Sequence, residues 1–388
     1  MKAHRERCKL VRPTLPVLPG EIIVEILLRL PVKALLRFKR VCKSWRTLIS
    51  SPKFAMDNFR QHSSANRNLP SHLIYSNKHY EYQRLGLLSL QPLFEATPSG
   101  VASFVHFGID FCIGEKFGND ELIIRGSCNG LLCLHHLPSS RFCLLNPATK
   151  SVSRCFRSEL GPPSFYFGFG YDHVHDKYKL VTVHGHEQDL TQIFTFGANS
   201  WTNGPKFPYP VYAGLTGKIG RFLSGTTGTL NWMAKVKEWV IISFDLANET
   251  FGEVSLPCLS GVDHNTRDPE LQVSLNCLSF TIQKETMFEV WMMKEHGVWE
   301  SWIMISRVNL LRHYYNNLIP LFISERYVLL LVYPFVRTLV MYNCDDGMFS
   351  YPLMVDTSDG CILSATHFQG KFYAADFVHH ESLVSPPQ

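Results

Sequence analysis

Charge is scarce in this chain. Asp, Glu, Lys and Arg make up 18% of 388 residues, and the net charge is only +5 with a pI near 8.6. Spread over this length, that balance gives no ground for expecting a nucleic-acid partner. Long apolar runs are missing too. The most hydrophobic stretch, Tyr327 to Tyr342, is interrupted by Pro334 and Arg337 and reads as a pair of buried strands rather than a membrane span. No secretory signal opens the sequence, because Met1 to Arg12 is basic and polar with no apolar core behind it. The 11 cysteines are odd in number and scattered, which suits buried thiols in a reducing compartment better than a disulfide framework. Phosphate loops, dinucleotide fingerprints, nucleophile elbows and zincin motifs are all absent. The expectation is a soluble cytoplasmic or nuclear protein, with no membrane association and no cofactor.

What is present is core material. Apolar residues reach 45%, and the aromatic share of 13% leans towards strands, where rings pack well on a pleated surface. The length predicts two domains. The first is helical. Gly20 to Leu30 has Glu21 in its first turn and apolar residues on all but one stripe, that of Glu21, Glu25 and Arg29. Pro31 ends it, and two short helices follow over Lys33 to Lys39 and Lys43 to Ile49. Three such helices are too small to bury their own apolar surface. From pattern alone, the surplus is either a docking surface for a partner or the underside of a cap packed on the rest of the chain. Six basic residues and no acidic one lie between Lys33 and Arg46, which reads as a solvated basic face able to steer an acidic partner.

The residues themselves decide between these. Leu18 to Phe54, LPGEIIVEILLRLPVKALLRFKRVCKSWRTLISSPKF, resembles an F-box. The two Leu-Pro steps bracket the first helix, and the Val41-Cys42-Lys43-Ser44-Trp45-Arg46 run and the closing Leu48-Ile49 stand where F-boxes have them. The resemblance implies docking on a Skp-type adaptor, itself bridged to a cullin and a RING protein. It assigns that contact to Leu18, Pro19, Ile22, Ile26, Leu30, Pro31, Leu35, Val41 and Trp45, some of which must instead form the F-box's own core.

Residues 60–70 are polar and unpatterned, and read as a linker between an F-box at 15–59 and a second domain at 71–384, with short tails at 1–14 and 385–388. The second domain is all-β. Short apolar runs alternate with turn chemistry, as in the Asn129-Gly130 hairpin signal between Glu121–Arg125 and Leu131–His135. A hairpin recurs in which one strand-ending apolar residue is followed seven places later by another: Leu145/Val152, Phe194/Trp201, Phe244/Phe251 and Tyr342/Phe349. The leading positions differ by 49, 50 and 98 residues. A period near fifty with four strands per unit is kelch-like blade spacing, which over 71–384 allows six or seven propeller blades. The segments GSCNGLLCL, LNPATK, FGFGYDHVHDKYKL, IISFDLANETFGEVSLP and FEVWMMKEHGVWESW, with the closing Glu381 to Val384, resemble the F-box-associated domain of plant F-box proteins. No Gly-Gly pair occurs, unlike true kelch repeats.

Catalytic readings find little support. The histidine pairs, His173/His175 and His184/His186 among them, read as turn and surface residues rather than metal ligands. Asp245, Glu249 and Glu253 read as solvated rather than as a catalytic set, and Trp201, Trp232, Trp239, Trp291, Trp299 and Trp302 as packing between blades rather than a stacking platform. The sequence therefore implies a non-enzymatic subunit that brings an unknown target protein to an SCF-type ubiquitin ligase. Its rivals are an adaptor-binding protein that recruits nothing for ubiquitination, and a propeller enzyme with a helical cap.

Overall fold

The computed structural model describes residues 18–65, 72–79, 82–89, 101–108, 122–136, 139–157, 164–184, 190–209, 218–225, 228–235, 238–257, 268–284, 287–309, 317–333, 338–350, 353–356, 362–363 and 371–387. Four helices come first: α1 (Gly20–Leu28), α2 (Val32–Phe38), α3 (Lys43–Ile49) and α4 (Pro52–Ala65). Pro19 and Pro31 stand just before α1 and α2, where a missing N–H costs nothing. Of the stretch read as a linker, residues 60–65 continue α4 and residues 66–70 lie outside the described residues. This helix starts where Ser51 caps the N–H of Phe54 and Pro52 takes the first helical position. Two of its polar residues tie it back to α1. The Asn58 amide donates to the carbonyls of Leu28 and Leu30 at 2.8 and 3.2 Å, and His62 Nε2 lies 3.0 Å from Leu30 O, so α4 satisfies carbonyls left open at the end of α1.

The rest of the chain is all-β. Five sheets are built from consecutive strands. The first holds β4 (Leu122–Cys128), β5 (Leu131–His136), β6 (Arg141–Asn146) and β7 (Ser151–Val152), with β8 (Phe156–Arg157) beside β6. The second holds β9 (Ser164–Asp172), β10 (Lys177–His184), β11 (Leu190–Thr195) and β12 (Ser200–Asn203), with β13 (Lys218–Ile219) parallel to β9. The third runs β14 (Arg221–Leu223), β15 (Thr229–Lys235), β16 (Trp239–Asp245) and β17 (Thr250–Ser255). The fourth runs β18 (Glu270–Ser274), β19 (Cys277–Gln283), β20 (Met287–Met293) and β21 (Trp302–Asn309), and the fifth β22 (Asn317–Ile323), β23 (Tyr327–Tyr333), β24 (Thr338–Asn343) and β25 (Phe349–Ser350).

A further sheet is composite. It joins β1 (His72–His79), β2 (Tyr82–Ser89) and β3 (Val101–Gly108) to β26 (Leu353–Asp356), β27 (Ile362–Leu363) and β28 (Lys371–His379). β28 pairs antiparallel with β1 from His72↔His379 to Lys78↔Lys371, so the last strand meets the first, as ring closure requires. The inner strands β28, β4, β9, β14, β18 and β22 neighbour one another in a closed circle. This is a propeller. The expected six or seven blades are corrected to five blades of consecutive strands, closed by one sheet that both ends of the chain build.

All four hairpin pairs read from the sequence are cross-strand partners between the third and fourth strands of their blades. Three of their turns, those after Leu145, Phe244 and Tyr342, share one construction with the β9–β10 turn. A side-chain oxygen of Asn146, Asp245, Asn343 or Asp172 accepts the backbone N–H two residues on, and the residue four places on takes positive φ: Lys150 58°, Glu249 53°, Gly347 71°, Asp176 56°. The Phe194/Trp201 turn lacks the opening Asn or Asp, and Asn199, at φ 55°, donates its backbone N–H to Thr195 O. Asp245 therefore holds a turn, Glu249 pairs with Lys179 at 2.8 Å and Glu253 accepts from Tyr209, which corrects the reading of all three as simply solvated.

Between blades, glycine permits contact. A Cβ on Gly168 would stand 2.7 Å from the Trp232 ring, and one on Gly170 2.5 Å from Phe222, so the Phe-Gly-Phe-Gly alternation on β9 leaves one face open to the third blade. Indole N–H groups bridge blades as well. Trp201, Trp232 and Trp302 donate to the carbonyls of Arg157, Phe167 and Ser255 at 2.9, 2.9 and 3.0 Å. Trp299 is the exception, 57% exposed.

Candidate functional site: the helical docking face and the capped propeller mouth

The helices divide their apolar residues in two. Leu27, Val32, Leu35, Ile49, Phe54 and Ala55 are buried, in one continuous core with Cys128, Leu131, Phe169 and Tyr178 of the first two blades. The helical module is thus a cap packed on the propeller. It is also more than that, because a second set faces outward. Leu18, Ile22, Ile26 and Val41 are 55%, 42%, 48% and 61% exposed, and Pro19 and Pro31 are exposed beside them. Ile22 and Ile26 stand one turn apart on one face of α1, and Leu18 leads into that helix two residues before its start.

The nine residues expected at the docking face are therefore not equivalent. Six of them lie open to solvent. Leu30 and Trp45 are half-buried against the shared core, Trp45 with its ring centroid 5.6 Å from that of Phe38. Leu35 is 0% exposed and belongs to the core. Around the strip, Lys33, Arg37, Arg40, Lys43 and Arg46 are exposed, while burial and then Arg46 hold Lys39 below the usual lysine pKa. The exposed Arg29–Glu25 pair at 2.5 Å adds little stability.

A third component joins helices to propeller: the segment after β28. Leu383 and Val384 are buried in the shared core, and the Asn146 amide, itself 0% exposed, donates to Ser382 O and Val384 O at 2.9 and 2.7 Å. Gly130 lets this segment pass. With φ at +76° it would, given a Cβ, strike Ser382 Cβ at 2.2 Å. The Asn-Gly hairpin signal was legible in sequence; its second duty was not. α4 covers the mouth where the inner strands end, and Phe59 meets His380 edge-on at 6.3 Å between ring centroids.

Residues 15–56 match the F-box domain, and residues 105–358 match the F-box associated beta propeller domain. The chain belongs to the F-box proteins that carry this propeller domain. An F-box/kelch-repeat protein of Arabidopsis thaliana is 32% identical over 358 residues, covering 89% of this chain and 92% of the relative. A putative F-box protein of the same plant is 27% identical over 293 residues, 74% of each chain. Another is 30% identical over 244 residues, 62% of this chain and 50% of that relative, so this chain spans half of its length.

Within this F-box protein, sequence reasoning missed α4 and the role of the closing segment. The start signal for α4 was present in Ser51-Pro52. Nothing local marks Asn146 as the anchor for Val384, because 238 residues separate the partners. Among the described residues, no group of three or more His, Cys, Asp or Glu is placed to hold a metal ion, and no helix is long and apolar enough to cross a membrane.

Proposed function

We propose that this F-box protein is the substrate-recognition subunit of an SCF-type ubiquitin ligase. The exposed strip of Leu18, Pro19, Ile22, Ile26, Pro31 and Val41 docks a Skp-type adaptor, and the propeller holds the target. The observation that carries this reading is the division of the F-box. A helix that buries Leu27 in the core yet leaves two isoleucines one turn apart in water, with an exposed Leu18 just before it, is built to be covered by something else. The exposed basic residues of α2 and α3 suit an acidic adaptor surface. The chain's contribution is positioning, which turns transfer to a target lysine into a step within one assembly, while the transfer chemistry belongs to the other subunits. The reading places the protein in the cytoplasm or nucleus.

α4 already covers one propeller mouth. The inner strands β4, β9, β14, β18, β22 and β28 begin at the opposite end of the ring. We assign target binding to that opposite end. The test replaces Ile22 and Ile26 together with Glu. Both side chains are exposed, so thermal stability should stay within about 1 °C of wild type. Adaptor co-purification should fall at least tenfold, since buried apolar anchors dominate interfaces of this kind. Undiminished adaptor binding by the double variant would overturn the docking assignment. Reconstituted ubiquitin transfer separates a recruiting subunit from an adaptor-binding protein that recruits nothing.

A further inference from the structure

The covered mouth is not filled. Between α4 and the converging ends of the inner strands lies a cavity of about 580 Å³, in the size range of small-molecule sites. Its lining has a marked chemical bias. Arg60 from α4 and Arg221 from β14 are its cations, with His173 and His380 beside them, and no Asp or Glu lines it. The Arg60 guanidinium makes no ion pair or hydrogen bond with the described residues, although it lies close enough to lower the His173 pKa, after burial. Arg221 is held in place by donating Nε to Leu271 O at 3.0 Å. The remaining wall combines the half-buried rings of Phe59 and Phe222, backed by the buried Phe169 and Phe322, with polar residues such as Asn129 and Asn276.

We propose that this cavity is a binding site for a small organic anion: a carboxylate or phosphate on a flat apolar body. The anionic group would meet Arg60 and Arg221, and the body would lie against the phenylalanine rings. Arg60 is exposed and pairs with no described residue, so it is available to a charge-assisted contact at the rim of a partly aromatic cavity, and one anion of this kind would use both features. A free small molecule fits better than a peptide of the target, because α4 of the chain itself roofs the cavity. The site adds to the adaptor and target contacts proposed above and does not depend on either. A ligand there would touch F-box and propeller at once and tighten their junction.

The test is calorimetry and thermal unfolding of the full chain, bound to its Skp-type adaptor or alone. The probes are 2-naphthoate and phenyl phosphate, with 2-naphthylmethanol and acetate as controls and an acidic octapeptide as competitor. At least one aryl anion should bind once per chain, about tenfold or more tighter than either control, and raise the unfolding temperature. Arg60→Gln should weaken it about tenfold or more without changing the unfolding temperature of the unliganded protein, because Arg60 is exposed and unpaired. Ser224→Phe, which fills the cavity from an exposed position, should abolish it. Absence of saturable binding by both aryl anions up to about 10 mM would overturn the proposal. So would equal binding to Arg60→Gln, or occupancy by the acidic peptide in preference to the aryl anions. Loss of adaptor binding in the Ile22/Ile26 variant would leave this result unchanged, so the two readings fail separately.

Discussion

Asn146→Asp is the sharpest probe of how the F-box is held to the propeller. The Asn146 side chain has two jobs. Its oxygen accepts from Ala148 N and Thr149 N at 2.8 and 3.1 Å, which builds the blade turn, and its nitrogen donates to Ser382 O and Val384 O, which anchors the closing segment. Aspartate keeps the first job and loses the second. Each lost hydrogen bond costs about 1 kcal/mol, and each carbonyl left without a partner costs about 1–3 kcal/mol more. The carboxylate would also face two carbonyl oxygens at a fully buried position. The sum is about 4–8 kcal/mol, at least comparable with what burying Leu383 and Val384 supplies at about 1.5–3 kcal/mol each. The closing segment should therefore detach while the turn stays intact. Hydrogen exchange reads this directly, since the Val384 N–H, bonded to Ser382 Oγ at 2.9 Å, should lose protection while the Ala148 N–H keeps it. Asn146→Ala should expose both. Wild-type protection at Val384 in the aspartate variant would refute the anchoring argument.

Leu35→Ala should lower stability by about 2–5 kcal/mol in a denaturant melt, because the side chain is fully buried, in contrast to the exposed isoleucines of α1. Gly168→Ala should cost about 1–3 kcal/mol in the same assay, since its Cβ would meet Trp232 at 2.7 Å and Leu230 at 2.8 Å. Acid should weaken the fold through buried histidines. Burial, then Lys33 and His380, lowers the His72 pKa to about 4, burial lowers His380 to about 4, and burial, Arg125 and His136 lower His135 to about 3. With folded values below the ordinary 6.5, the unfolded chain binds more protons across that window. Stability should be full above about pH 6.5 and fall as the pH drops towards 4. Urea melts at successive pH values check this, and His72→Gln should flatten the slope.

The blade pattern was legible because it is local. A residue at positive φ in every turn, an Asn or Asp opening three of the four and an apolar pair flanking each are fixed within eight residues, so the period of 49 or 50 survived into cross-strand pairs at every site. The blade count was not legible, for a reason just as physical. Dividing the domain length by the period assumes that every sheet is one stretch of chain. The closing sheet takes β1, β2 and β3 from one end and β26, β27 and β28 from the other, which no local repeat can announce. The F-box was the mirror case. Its motif was plain, but the motif could not sort Leu35 from Ile22, because both are apolar residues on short helices. Only the neighbours decide, and those neighbours, Leu131 and Val384 among them, lie far along the chain.

That long-range packing bears on how such a protein would act. Two domains on a flexible linker would present a target at many distances from the adaptor. Here residues 61–65 are helix, α4 satisfies the carbonyls at the end of α1, and the core runs without a break from Leu27 through Val384 into the first two blades. Relative motion of F-box and propeller would have to open that core, losing about 25 cal/mol for each Å² of apolar surface exposed. The shared core therefore opposes reorientation of the helices on the propeller. Under the proposed function that restraint would hold an acceptor lysine within reach, which is when proximity helps transfer. The closing segment is what completes the junction. Its attachment at Asn146 and its passage over Gly130 put the stability of the last residues of the chain in direct control of the geometry of the first.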